Sequence, residues 1–150
     1  MNTSEPNQHQ SFMQKCIQLA KTAKQRGDSP VGSLIVQNGT IIGEGIEGGK
    51  IHNDITFHAE IEAVRAATKY LGKQDLSGCI LYTTHEPCIM CSYVIRHTGI
   101  SIVVTGITGG EIGGFSSRLP VLLDTTITKW SAPPTLLNGI LEKECAELFK

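Results

Sequence analysis

His58-Ala59-Glu60 and Pro87-Cys88-Ile89-Met90-Cys91 carry the residue types needed for metal-assisted hydrolysis. Neutral imidazole and thiolate are zinc ligands, and a catalytic zinc takes three protein ligands and leaves a position open to water. His58, Cys88 and Cys91 supply three. Zinc lowers the pKa of a bound water towards ~7. Glu60, two residues after His58, is then the group that takes a proton from that water and returns it to the substrate. A Cys-x-x-Cys pair is also the mark of a redox dithiol or of half a structural zinc site. Cys16, Cys79 and Cys145 form no second such pair, however, and a redox reading leaves His58 and Glu60 without a role.

Both motifs are expected to open helices. Ile61, Val64, Ala67 and Leu71 share one face of a helix predicted over His58–Leu71, with Thr56 as the expected N-cap. His58 and Glu60 then fall in the first turn, at the positive end of the helix dipole. Pro87 precedes a second helix, Cys88–His97, which Gly99 ends, and the Cys88/Cys91 spacing puts both sulfurs on one face. Free N–H groups at that helix start are suited to stabilising thiolates and an oxyanion on the substrate.

The rest of the chain supplies the frame. Phe12, Cys16, Leu19, Ala20 and Ala23 predict an amphipathic helix over Phe12–Arg26. Strands are expected at Val31–Gln37 and Thr40–Gly45, joined by an Asn38-Gly39 hairpin turn. Further strands are expected at Cys79–Thr83, Ile100–Thr105 and Thr135–Leu137. Arg118–Asp124 is read as a short helix and Ile140–Phe149 as the closing one. Gly106–Ser117, rich in glycine, matches no phosphate-binding motif and is read as a flexible flap or turn over the site. Helices alternating with strands after a hairpin predict an α/β fold, a three-layer α/β/α sandwich around a mixed sheet.

The length suits one domain, read as 11–150, behind a flexible polar leader at residues 1–10. No apolar run is long enough to cross a membrane, and the first residues lack the apolar stretch of a signal peptide. The five cysteines are an odd number, which argues for a reducing compartment, so a cytoplasmic protein is expected. The net charge of −1 gives no basic surplus for gripping nucleic acid. Lys15, Lys21, Lys24 and Arg26 cluster in the first helix, where they read as a solvated face.

H-x-E followed by P-C-x-x-C is the signature of the zinc deaminases, and the chain resembles the cytidine deaminase-like superfamily along nearly its whole length. The resemblance is carried by Ser29-Pro30-Val31-Gly32-Ser33, Gly43-Glu44-Gly45, Asp54 to Ile61, Leu81-Tyr82-Thr83-Thr84, and Glu86 to Cys91. Within the superfamily the chain looks closest to the group of tRNA adenosine deaminases, guanine deaminases and cytosine deaminase. Gly139-Ile140-Leu141 with Glu144-Cys145 is similar to the tRNA-editing branch. The resemblance implies a five-stranded sheet, a homodimer and hydrolytic release of ammonia. It also implies zinc on His58, Cys88 and Cys91, with Glu60 as proton shuttle.

Substrate contacts are expected at Val31, Glu47, Phe57, His85 and Pro87. Glu47 stands where related enzymes carry an Asn that hydrogen-bonds the base. It either faces the pocket, where a carboxylate favours a ring edge rich in N–H donors, or points to solvent. Phe57 stands where the tRNA enzymes carry a small residue, and either meets a base, narrows the pocket or packs inside. These departures and the near-neutral charge favour a small nucleobase, nucleoside or related amino-heterocycle. A tRNA adenosine is the alternative substrate, and a non-catalytic zinc-stabilised module is the reading outside enzymology.

Overall fold

The computed structural model describes residues 6–150. Helix α1 (Pro6–Gln25) leads into strands β1 (Gly32–Gln37) and β2 (Thr40–Ile46). Helix α2 (Ala59–Leu71), strand β3 (Ile80–His85), helix α3 (Ile89–Thr98) and strand β4 (Ile102–Ile107) follow. Two 3-10 turns, Gly110–Ile112 and Val121–Leu123, precede strand β5 (Thr135–Asn138) and helix α4 (Glu142–Glu147).

The five strands form one sheet in the order β2-β1-β3-β4-β5. β1 pairs antiparallel with β2 and with β3, whereas β3, β4 and β5 run parallel. β1 and β3 are buried on both faces, so Leu34-Ile35-Val36 and Ile80-Leu81-Tyr82 are consecutive apolar residues rather than an alternation. Alternate residues serve opposite layers. Leu34, Val36, Ile80, Tyr82 and Val104 pack against Met13, Cys16 and Ala20 of α1 and Cys145 of α4. Ile35, Leu81 and Val103 pack against Ala63, Val64 and Ala67 of α2 and Ile95 of α3. The result is the expected three-layer α/β/α sandwich with a mixed five-stranded sheet.

Close approach of α2 to β2 sets the catalytic end of the molecule. A Cβ on Gly45 would run into the Ala59 carbonyl, so only glycine lets the first turn of α2 lie directly on the strand.

Several local expectations change. α1 starts at Pro6, so residues 6–10, read as leader, form its first turns, and His9 is buried against Tyr82. Residues 1–5 of that leader lie outside the described residues. Thr56 does not cap α2: the helix begins later, so that His58 takes the cap position, while the Thr56 N–H and hydroxyl both donate to Asp54 Oδ1. The segment 118–124 yields only the 3-10 turn at Val121–Leu123, and the closing helix is limited to Glu142–Glu147. The glycine-rich segment is a tethered loop: the Glu86 carboxylate accepts the N–H groups of Gly109, Phe115 and Ser116.

Candidate active site

Two helix starts meet at one end of the sheet, beyond β2 and the central β3. His58, in extended backbone (φ −82°, ψ 151°), precedes α2, and Cys88 (φ −70°, ψ 176°) precedes α3. Cys88 Sγ accepts the Cys91 N–H at 3.5 Å, which is the bond an N-cap side chain makes. His58 makes no such bond. In its place Glu47, from the end of β2, reaches across, and its Oε1 accepts the Ala59 N–H at 3.1 Å. The carboxylate therefore caps α2 from another element and fixes the first turn that carries His58 and Glu60.

His58 Nδ1 lies 3.5 Å from Cys88 Sγ and 3.5 Å from Cys91 Sγ. In a tetrahedron with Zn–S about 2.3 Å and Zn–N about 2.0–2.1 Å, the S···N edge is about 3.6 Å. The three donors thus stand on two edges of a zinc tetrahedron, and all lie within 4.8 Å of one another. Two thiols and one imidazole are the donor set zinc prefers, and a fourth position is left for solvent or substrate.

The electrostatics report the same crowding. The hydrogen bond to Cys88 raises His58 to about 9. The bond from the Cys91 thiol and the neighbouring His58 imidazole hold Cys88 at about 4, against the effect of burial. Cys91 is pushed far above the ordinary thiol range by its bond to Cys88 and by burial. The donors share protons among themselves, and metal binding displaces those protons. Burial raises Glu60 to about 8 and also raises Glu47 above its ordinary value.

A cavity of about 220 Å³ opens beside these donors. Val31, Glu47, His58, Glu60, His85 and Cys88 line it, so six of the nine residues expected at the site share one wall. Cys91 lies just behind, 1% exposed. Glu47 is 9% exposed and does not point to solvent.

Phe57 and Pro87 are the exceptions. Phe57 does not line this cavity; its ring stacks on His52, with centroids 4.0 Å apart. Pro87 does not line it either, and its carbonyl accepts the Gly114 N–H at 2.8 Å, holding the glycine-rich loop. Both residues immediately precede a ligand in extended backbone, where successive side chains point to opposite sides.

The 106–117 loop lies at the cavity as expected, but Glu86 and Phe149 were not expected there. Glu86, 1% exposed, clamps the loop that brings Gly109, Ile112 and Gly113 to the cavity. Phe149 forms part of the mouth, its ring 5.6 Å from that of His85. Lys24 Nζ ties the backbone around it, donating to the carbonyls of Leu148 and Lys150 at 2.8 Å and 3.0 Å. The only available signal was Glu86 standing directly before Pro87; nothing in the sequence marked Phe149.

Comparison with known proteins agrees with this geometry. Residues 6–107 match the model of the cytidine and deoxycytidylate deaminase zinc-binding region. A tRNA-specific adenosine deaminase of Buchnera aphidicola subsp. Baizongia pistaciae is 45% identical over 138 residues, covering 92% of this chain and 83% of the relative. A solved structure from work on A-to-I editing by tRNA:A34 deaminases superposes with a TM-score of 0.85 at 31% identity, covering 92% of this chain and 98% of the other. The guanine deaminase of Bacillus subtilis superposes with a TM-score of 0.64 at 39% identity, covering 67% of this chain and 64% of that one.

Proposed function

The chain belongs to the cytidine and deoxycytidylate deaminase zinc-binding family and is a hydrolytic deaminase acting on C–N bonds; from that premise we propose that its substrate is an adenosine within a tRNA. The observation that carries this reading is the 45% identity to a tRNA-specific adenosine deaminase over 92% of this chain and 83% of the relative. It reverses the order expected from the departures at Glu47 and Phe57 and from the near-neutral charge, where a small heterocycle came first and the tRNA second. Near-neutral net charge is a weak guide here, because the relevant charge is local.

In this proposal His58, Cys88 and Cys91 hold zinc, which when bound supplies an acidified water as nucleophile. Glu60 lines the cavity beside these donors and is 4% exposed. Its carboxylate takes a proton from the water as oxygen adds to C6 of the purine. It delivers that proton to N1, then takes the proton of the new C6 hydroxyl and passes it to the departing amine, so adenosine and water become inosine and ammonia. Glu47 holds α2 in place through Ala59 and offers its remaining acceptor capacity to the substrate. The Cys91 N–H is spent on the Cys88 sulfur. A homodimer and a cytoplasmic setting, expected from the resemblance and the cysteine count, belong to the same proposal. Among the described residues no helix is long and apolar enough to cross a membrane.

One observation favours a second reading, a free donor-rich base: the Glu47 carboxylate stands in the cavity wall. The two are separated by assaying the zinc-loaded protein on an anticodon stem-loop beside adenosine, adenine, guanine, cytosine and amino-triazines. Inosine in the RNA with inert free bases is the expected result. Ammonia from a free base with an inert RNA would overturn the tRNA reading.

A further inference from the structure

Phe57 was expected in the catalytic cavity and instead builds a surface of its own. Its ring and that of His52 stack with centroids 4.0 Å apart and planes inclined by 26°. Phe57 is half-buried and His52 is exposed, so the outer face of the stack meets solvent. The pair borders a groove of about 500 Å³ that is also lined by Arg26, Ile51 and Glu47. Glu47 belongs to both this groove and the catalytic cavity, so the two adjoin across one side chain.

The platform is prebuilt. A Cβ on Gly48 would stand 2.6 Å from Phe57 and 2.7 Å from His52, so both rings lie directly on a backbone that only glycine leaves bare. The Gly48 N–H donates to the Phe57 carbonyl at 3.0 Å, and the His52 N–H donates to the Gly48 carbonyl at 2.9 Å. Asp28 clasps the same loop through the N–H groups of Lys50 and Ile51. An exposed aromatic face held this firmly next to a reaction cavity has no part in zinc binding or proton transfer.

The charges beside it are asymmetric. Glu44 and Glu62 also line the groove, but Glu44 pairs with Lys15 at 3.8 Å and Glu62 with Arg65 at 3.1 Å. Arg26 makes no ion pair among the described residues. The groove therefore combines a stacking face with an uncommitted guanidinium, the pairing that single-stranded nucleic acid uses for base and phosphate.

We propose that the His52–Phe57 stack is a second base subsite, holding an unpaired nucleotide next to the target adenosine, with Arg26 on its phosphate. This inference rests on the tRNA reading. It makes the loop at 48–57 a specificity element: a free nucleoside gains nothing from it, and a single-stranded RNA loop does.

The test uses the zinc-loaded full chain and anticodon stem-loops that are intact or abasic at the position before or after the target. His52→Ala is expected to lower kcat/KM on the intact RNA roughly 5- to 150-fold, the range of one lost base–aromatic stack. The loss falls on KM, with zinc content and Tm unchanged. On the RNA abasic at one of the two flanks, His52→Ala has little further effect, and His52→Tyr recovers the intact substrate. Arg26→Gln weakens binding and flattens its salt dependence. If the wild-type protein deaminates the stem-loop but His52→Ala is silent, or costs the same on intact and both abasic RNAs, the subsite is refuted and the tRNA reading stands. If the wild-type protein leaves the stem-loop untouched, the tRNA reading and the subsite fall together.

Discussion

Asp28 offers the sharpest test of how the rim of the site is held. Its side chain is 6% exposed and sits where α1 turns towards β1. Oδ1 accepts the Ser29 N–H at 3.0 Å, and Oδ2 accepts those of Lys50 at 3.1 Å and Ile51 at 3.0 Å. Removing the carboxylate in Asp28→Ala leaves three backbone donors without this partner. Hydrogen bonds to a charged group are worth about 1.5–3 kcal/mol each, but Lys50 and Ile51 are exposed and water can re-pair them. The expected loss for Asp28→Ala is therefore about 2–4 kcal/mol, well below the sum of three bonds. Asp28→Asn keeps one acceptor oxygen and sets its NH2 against another N–H, for a loss of about 1–2 kcal/mol.

The pH dependence adds a sign. Burial raises the Asp28 carboxyl, but the N–H groups of Ile51, Ser29 and Lys50 outweigh it and hold it below the ordinary value. A depressed folded pKa stabilises the fold at pH above the unfolded value of about 3.9. That contribution is lost as pH falls through the lower folded value. The stability gap between wild type and Asp28→Asn should thus be full at pH 7 and shrink below about pH 4. Urea unfolding of both proteins across that range measures it. Because the clasp holds the loop carrying His52 and Phe57, Asp28→Ala should also raise KM for the stem-loop while zinc content stays unchanged. A variant within about 0.5 kcal/mol of wild type at pH 7, or a gap that does not close in acid, would refute the clasp.

Three further substitutions probe other parts of the site. Glu60→Gln should keep zinc and fold and lose about 10²- to 10⁴-fold in turnover, measured with metal analysis alongside. Glu86→Ala orphans the N–H groups of Gly109, Phe115 and Ser116, so it should cost about 3–5 kcal/mol and speed hydrogen exchange across 109–116. Glu47→Asn should change the relative rates across a panel of bases and RNA with zinc content unchanged; rates that keep their ratios would mean that Glu47 acts only as the cap on Ala59.

What could be read in the sequence was local. His58 and Glu60 are two residues apart and Cys88 and Cys91 three, and both pairs stand at helix starts, where spacing alone decides which atoms share a face. A mixed sheet between two helical layers could be expected from the hairpin and the α/β alternation, and the helical and strand periods placed most of the core. These features depend on neighbours along the chain, which a sequence displays directly.

The tertiary structure decided whatever depends on partners far apart. Glu86 meets its three N–H donors 23 to 30 residues away, and Asp28 meets Lys50 and Ile51 22 and 23 residues away. A carboxylate in a sequence gives no sign of which donors it will find. Phe57 and Pro87 show the converse: adjacency to a ligand suggested membership of the pocket, yet the extended backbone at His58 and Cys88 turns each preceding side chain away. The same geometry that removed Phe57 from the catalytic cavity set it against His52, and Phe149 reaches the mouth from a segment that Lys24, 124 and 126 residues away, ties through two carbonyls. Ligand identity is thus a property of short spacing, whereas the shape of the cavity around the ligands is a property of long-range packing.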